Sequence, residues 1–217
     1  MKTHAVSEES LLMAMCEAVD GLVEPQGTAG YVRESSVFNT SAVPLPAAVV
    51  VPRDAKDLAR AVRTAVSCGF TVAVQSTGHA ATAVDSRSIL VNTRMLDTLV
   101  IDPAAGTATV GAGVRWRDLL TAAGKHGLAG LAGSAPDVGV VGYTLGGGLG
   151  PVARTFGFAA DHVVSVDVVT ADGDLRTVDE SRHPDLFWAL RGGGGADRKS
   201  TRLNSSHAIT SRMPSSA

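Results

Sequence analysis

The spacing of apolar residues changes several times along the chain, and each change marks an element. Residues 8–19 set Leu11, Leu12, Met15, Ala18 and Val19 at helical spacing, which predicts an amphipathic helix ending at Gly21. The β-rich run 48–51 predicts a strand. Asp54 then stands at a capping position, and Asp57 in the first turn, of a helix over 55–67 that Cys68-Gly69 closes. Further strands are expected over 71–75 and around 89–92, separated by a small-residue loop over 76–86. Residues 96–101 and 107–111 alternate in strand fashion around the Asp102-Pro103 turn, and 116–123 read as a helix. Residues 163–170 and 174–178 predict a hairpin across Ala171-Asp172-Gly173, whose Asp-Gly pair suits a tight β-turn. A last helical turn or two is expected over 185–190.

One stretch follows neither period. Residues 138–150 carry glycines at 139, 142, 146, 147, 148 and 150 among apolar residues, and each glycine costs a helix up to ~1 kcal/mol relative to alanine. Something must require the missing side chains, and the pattern reads as backbone packed against a flat surface. The character changes again after the glycines at 192–195. Residues 198–217 hold four basic side chains, no acid and no period. This tail, taken as 196–217, reads as translated adapter or vector sequence and is expected to be disordered and outside the fold.

Composition narrows the function classes. With 217 residues the chain is long enough for one large domain or two subdomains, and with 45% hydrophobic but 4% aromatic residues its core is built of Ala, Val and Leu. The formal charge is -2, near -6 once the basic tail is set aside, and no basic stripe tracks a phosphate backbone, so nucleic acid is not an expected partner. Cys16 and Cys68 match neither a CxxC pair nor a zinc spacing, so no disulfide and no metal site is expected and a reducing compartment fits. The apolar stretch 11–15 is too short for a secretory segment, and no apolar run approaches the ~20 residues a membrane helix needs. A cytoplasmic protein without membrane attachment is expected.

Two segments carry candidate chemistry. Gln75-Ser76-Thr77-Gly78-His79-Ala80 runs from a strand end into a loop whose small side chains let backbone N–H groups approach a pyrophosphate. Ala135-Pro136-Asp137-Val138-Gly139-Val140-Val141-Gly142-Tyr143-Thr144-Leu145-Gly146-Gly147-Gly148-Leu149-Gly150 combines apolar residues with glycines too ordered for a linker. A Rossmann reading is the alternative, with 107–110 as strand, Gly111-Ala112-Gly113 as turn and 116–123 as helix. Trp116 stands where that fingerprint needs a Gly or Ala, and no acidic residue ends a following strand ~20 residues later.

The two segments, in this order and separation, resemble the FAD-binding domain of the vanillyl-alcohol-oxidase and berberine-bridge-like oxidases, the PCMH type. Pro46-Ala47-Ala48-Val49-Val50-Val51-Pro52, Gly111-Ala112-Gly113-Val114-Arg115-Trp116, Thr170-Ala171-Asp172-Gly173 and 184–194 extend the resemblance over residues ~40 to 195. It implies an α+β fold of two subdomains, 40–102 and 103–195, preceded by a helix and lead-in over 1–39 and ending before the substrate domain. It also implies FAD contacts from Ser76, Thr77, Gly78, His79 and Ala80 and from Pro136, Asp137, Gly139, Gly142, Tyr143, Gly146 and Gly147, the two stretches closing on one cofactor.

In relatives of this pattern the histidine after the loop glycine bonds to the flavin 8α-methyl carbon, and that position is His79. An imidazole nitrogen is a nucleophile near neutral pH. The position of a second, cysteinyl link falls on Ala135, which cannot form it, so attachment through His79 alone is expected. The resemblance implies a parent oxidoreductase that transfers hydride from an alcohol, amine or similar small-molecule carbon centre to flavin, the chain in hand being its inactive flavin-binding portion. A non-catalytic flavin-binding fragment is the other reading. Trp116, Phe187 and Trp188 are expected as core anchors, and His126, His162 and His183 as loop residues.

Overall fold

The computed structural model describes residues 6–38, 40, 43–79, 81, 83–193 and 203–213, with only the backbone path over 203–212. The chain divides into two compact units, one formed mainly by Met1–Leu96 with Val169–Leu175, the other mainly by Asp97–Val168 and the elements that follow Leu175.

In the first unit, helix α1 (Glu8–Ala18) starts at Ser7, whose hydroxyl accepts from Ser10 N–H, and turns Leu11 and Met15 inward. Strands β1 (Leu22–Pro25), β2 (Ala48–Val51), β3 (Thr71–Gln75) and β4 (Ser88–Asn92) form a four-stranded sheet in the order β1-β2-β4-β3. β2 and β3 both run parallel to β4, whereas β1 pairs antiparallel with β2. Every residue of β2 and β4 is buried. That is why both read as unbroken apolar runs: a parallel strand covered on two faces has no solvent side to alternate toward.

Helix α3 (Ala55–Ser67) makes the crossover from β2 to β3, capped as expected by Asp54 Oδ1 accepting from Asp57 N–H at 2.8 Å. It buries Leu58, Ala61, Val62 and Ala65. Asp57 is itself buried, and its carboxylate accepts from Asp20 N–H (2.8 Å), Arg53 N–H (2.9 Å) and Arg60 (2.9 Å), tying α3 to the turn after α1. The short helix α2 (Ala29–Glu34), which no periodicity announces, is capped by Thr28. Its Tyr31 packs in a cluster with Val49 and Leu90 and donates its hydroxyl to Pro46 O at 2.9 Å.

The second unit holds the sheet β5-β6-β9-β7-β8, built from β5 (Leu99–Asp102), β6 (Thr107–Gly111), β7 (Val163–Thr170), β8 (Leu175–Val178) and β9 (Leu203–Arg212). β6 runs antiparallel to both β5 and β9. The Gly111-Ala112-Gly113 turn therefore does not belong to a parallel βαβ unit, and the Rossmann alternative is excluded. Residues Ala208–Arg212 of β9 pair with β6 in the register Thr107↔Arg212 to Gly111↔Ala208, and Met213 N–H donates to Gly106 O at 2.7 Å. Ladder hydrogen bonds join main-chain groups, so a polar segment without hydrophobic period can still satisfy them.

Helix α4 (Trp116–Gly124) buries Trp116, Leu119 and Ala123, the four-residue α6 (Ala153–Phe156) buries none of its residues, and α7 (Pro184–Leu190) buries Phe187 and Leu190. Trp188 departs from its expected place as a core anchor, since it is 76% exposed. One residue from Phe187 on a helix is a rotation of about 100°, which turns it away from the buried face. The 163–178 hairpin forms as read, and its turn lies with the first unit, where Arg63 donates to Gly173 O at 2.9 Å.

Candidate functional site

In the first unit, β3 ends at Gln75 and releases the loop 76–79. Gly78 adopts φ +70°, and a β-carbon there would lie 3.0 Å from Val37 Cα and 3.3 Å from Phe38 N. Glycine is required at this point by the left-handed turn and by the backbone behind it. The half-buried His79 follows. Its Nδ1 lies 3.0 Å from Thr77 Oγ1, and its ring stacks on Phe38 with centroids 4.5 Å apart and planes 10° from parallel. Among the described residues, Nε2 has no hydrogen-bond partner, and the N–H groups of Thr77 and His79 have no acceptor. Ala80 lies outside the described residues.

The loop is backed by residues 36–38, which follow α2. Phe38 N–H donates to Gly78 O at 3.3 Å, and Gln75 Nε2 donates to Ser36 O at 2.7 Å. This backing strip is held at its start by Glu34, whose buried carboxylate accepts from Arg94 (2.6 and 3.0 Å) and Arg33 (2.8 Å), while its carbonyl accepts from Asn92 Nδ2 at 2.8 Å. Burial pushes the Glu34 carboxyl up, but the Arg94 and Arg33 guanidiniums together outweigh it and hold it below the ordinary carboxylate value. Glu34, Phe38 and Arg94 carry no motif, which is why a sequence reading passes over them.

In the second unit, the glycine-rich stretch is partly helical: Gly139 precedes helix α5 (Val140–Leu145), which turns Val140, Val141, Thr144 and Leu145 inward. The flat surface inferred for this stretch is in part its own Tyr143. A β-carbon at Gly133 would lie 3.0 Å, and one at Gly148 2.7 Å, from the Tyr143 ring, and one at Gly150 would lie 3.2 Å from its hydroxyl. Trp116 meets the same ring edge-on, with centroids 5.4 Å apart. The Tyr143 hydroxyl is buried without a partner among the described residues, and burial raises its pKa. Gly142, Gly146 and Gly147 differ: a β-carbon at Gly142 meets nothing within 4 Å, at Gly146 only carbonyls of the preceding turn, and at Gly147 only Phe158 at 4.0 Å. Pro136 O accepts from Arg117 N–H at 2.9 Å, and the Asp137 carboxylate is engaged by Arg117 and, at 3.5 Å, by Arg115.

A family model described as an FAD binding domain matches residues 46–179. The chain belongs to this FAD-binding family. It is 32% identical over 179 residues to (R)-6-hydroxynicotine oxidase of Paenarthrobacter nicotinovorans, an alignment covering 82% of this chain and 39% of that protein. A crystal structure of 6-hydroxy-D-nicotine oxidase from Arthrobacter nicotinovorans superposes with a TM-score of 0.83 at 29% identity, over 91% of this chain and 43% of that one. Glucooligosaccharide oxidase from Acremonium strictum, described with a 6-S-cysteinyl, 8α-N1-histidyl FAD, superposes with a TM-score of 0.83 at 26% identity, over 94% of this chain and 42% of that one. The chain thus spans about two fifths of the length of these relatives.

Within this FAD-binding fold, the expected site residues fall into two sets. Ser76, Thr77, Gly78 and His79 form one continuous loop of the first unit. Pro136, Asp137, Gly139, Gly142, Tyr143, Gly146 and Gly147 follow one another along a stretch of the second. Asp137 is occupied by arginines and the Tyr143 ring by its glycine surround, whereas a β-carbon at Gly142 would meet open space and one at Gly146 or Gly147 only contacts at 3.4 Å or beyond. Of the remaining histidines, His126 is exposed, His162 Nε2 lies 2.7 Å from Phe156 O, and His183 precedes α7; Asp161 accepts from Phe158 N–H at 2.9 Å.

Proposed function

We propose that these residues hold FAD for a flavin-dependent oxidase, with Ser76, Thr77, Gly78 and His79 and the stretch 136–147 contributing contacts and His79 forming the single covalent link. The bound flavin supplies the redox chemistry, taking hydride from an alcohol, amine or similar carbon centre and passing the electrons to dioxygen or another acceptor. The protein's part is to hold and orient it. The observation that carries the reading is His79: a half-buried imidazole with one nitrogen engaged and, among the described residues, no partner for the other, on a loop with two N–H donors that meet no acceptor among those residues, in a chain of the FAD-binding family.

The donor set suits the group. An unengaged imidazole nitrogen is the nucleophile that attachment needs, the loop N–H groups suit a diphosphate, and the bare main chain at Gly142, Gly146 and Gly147 admits close approach of a flat molecule. Ala135, exposed at the position of the second link, has no sulfur to offer. FAD retention is proposed for these 217 residues, and turnover for the length that the relatives span.

The test is to add FAD to the purified chain, remove free flavin, and then denature. Flavin that co-migrates with the polypeptide, and is released in His79→Ala, is the expected result. A chain that stays colourless refutes FAD retention, and flavin still attached in His79→Ala refutes the assignment of the link.

A further inference from the structure

We propose that the second unit carries a buried-water site, in which one water molecule accepts the Trp116 indole N–H, donates to Thr144 Oγ1 and so joins α4 to α5. The walls follow from the periods of three elements. Ala108 and Val110 share one face of β6, Trp116 and Leu119 stand three apart on α4, and Val140 and Thr144 four apart on α5. All six are buried, and together they line a cavity of about 20 Å³.

Among the described residues that line the cavity, only Trp116 and Thr144 have side chains with a nitrogen or an oxygen atom. Trp116 Nε1 is buried without a hydrogen-bond partner among the described residues. Thr144 Oγ1 commits its proton to Val140 O at 2.8 Å, which leaves its lone pairs to accept. An indole donor and a hydroxyl acceptor that do not meet directly are matched by a molecule that accepts one hydrogen bond and donates another. The room fits that occupant: one water needs about 10–15 Å³ and two to four polar partners. A wholly apolar cavity stays dry, but here an unmet buried donor would weaken folding by roughly five- to 150-fold in the equilibrium constant.

The indole is not free to turn its N–H elsewhere. A β-carbon at Gly130 would lie 2.7 Å from Trp116 Cζ3, so main chain presses on the six-membered ring, and the Tyr143 ring meets it at 86° with centroids 5.4 Å apart. Thr144 stands between Gly142 and Gly146 in the glycine-rich stretch. The water therefore ties that stretch to the first turn of α4, and it does so in the chain without any cofactor.

The experiment is NMR on the FAD-free, full-length chain with its tryptophans isotope-labelled. The chain has two tryptophans, so Trp188→Phe assigns the indole signals and the 76% exposed Trp188 is the internal control. The Trp116 indole proton is expected to show a cross-peak to water of opposite sign in the laboratory and rotating frames, the mark of dipolar contact with a long-lived water. For Trp188 the expected cross-peak has the same sign in both, the mark of proton exchange. Thr144→Ser is expected to keep the Trp116 cross-peak and Thr144→Val to lose it. In urea titrations Trp116→Phe and Thr144→Val are each expected to weaken folding. Their combined effect should fall short of the product of the two by on the order of fivefold, because whichever change comes first already breaks the bridge. A Trp116 proton without water contact, a cross-peak that survives in Thr144→Val, or independent effects in the cycle overturns the proposal. A Trp116 signal that shifts under xenon and shows no water contact identifies a dry cavity and overturns it as well. The wild-type spectrum and Thr144→Val decide the matter even where Trp116→Phe does not fold.

Discussion

Gly78 offers a direct measure of how tightly the loop before His79 is built, because a second glycine provides its control. Gly78 and Gly27 both lie in the first unit with positive φ, +70° and +85°. Placing alanine in the left-handed region costs about 1–2 kcal/mol at either position. A new β-carbon at Gly27 meets nothing within 4 Å, whereas at Gly78 it lies 3.0 Å from Val37 Cα, 3.3 Å from Phe38 N and 3.4 Å from Ser36 O. All three are backbone atoms, so no side-chain rotation relieves the contact, and forced overpacking of this kind costs a further ~1–3 kcal/mol. Gly27→Ala should therefore lower stability by about 1–2 kcal/mol, and Gly78→Ala by roughly 2–5 kcal/mol. Urea titration followed by circular dichroism at one protein concentration measures both. Equal losses for the two variants would mean that residues 36–38 do not press on the loop, and the support inferred for His79 would fall with that.

Two further outcomes are expected. Because Glu34 is held below the ordinary carboxylate value in the folded chain, it adds stability that is present above the unfolded value of about 4.3 and lost as pH falls through the lower folded one. Glu34→Gln should cost about 1–3 kcal/mol near neutral pH and show a shallower loss on acidification; urea midpoints that fall in parallel with wild type across the acid range would rule this out. Tyr143→Phe removes a hydroxyl buried without a partner among the described residues, so in FAD-free protein it should be neutral or stabilising by up to about 1 kcal/mol. A clear drop in thermal midpoint would reveal a partner for that oxygen.

Local rules were sufficient wherever an element announces itself within a few residues. Asp54 caps α3 as its position before the amphipathic run requires, the buried runs of β2 and β4 read as strands because both faces are covered, and the Asp172-Gly173 pair turns the hairpin. The family, and with it FAD, was legible from the loop at 76–80 and the glycine pattern after Ala135, since close backbone approach restricts which side chains a position tolerates.

What remained hidden depends on residues far apart in the chain. β1 and α2 are four and six residues long, too short to show a period; β9 is held through main-chain groups that its side chains do not advertise. Trp188 faces solvent because of the direction α7 presents, which composition does not encode. Phe38 reaches His79, and Glu34 reaches Arg94, only after folding brings strand ends and helix ends together across 41 and 60 positions. Short-range chemistry names the residue that can react; how its ring is held follows from contacts that exist only once the sheet has formed.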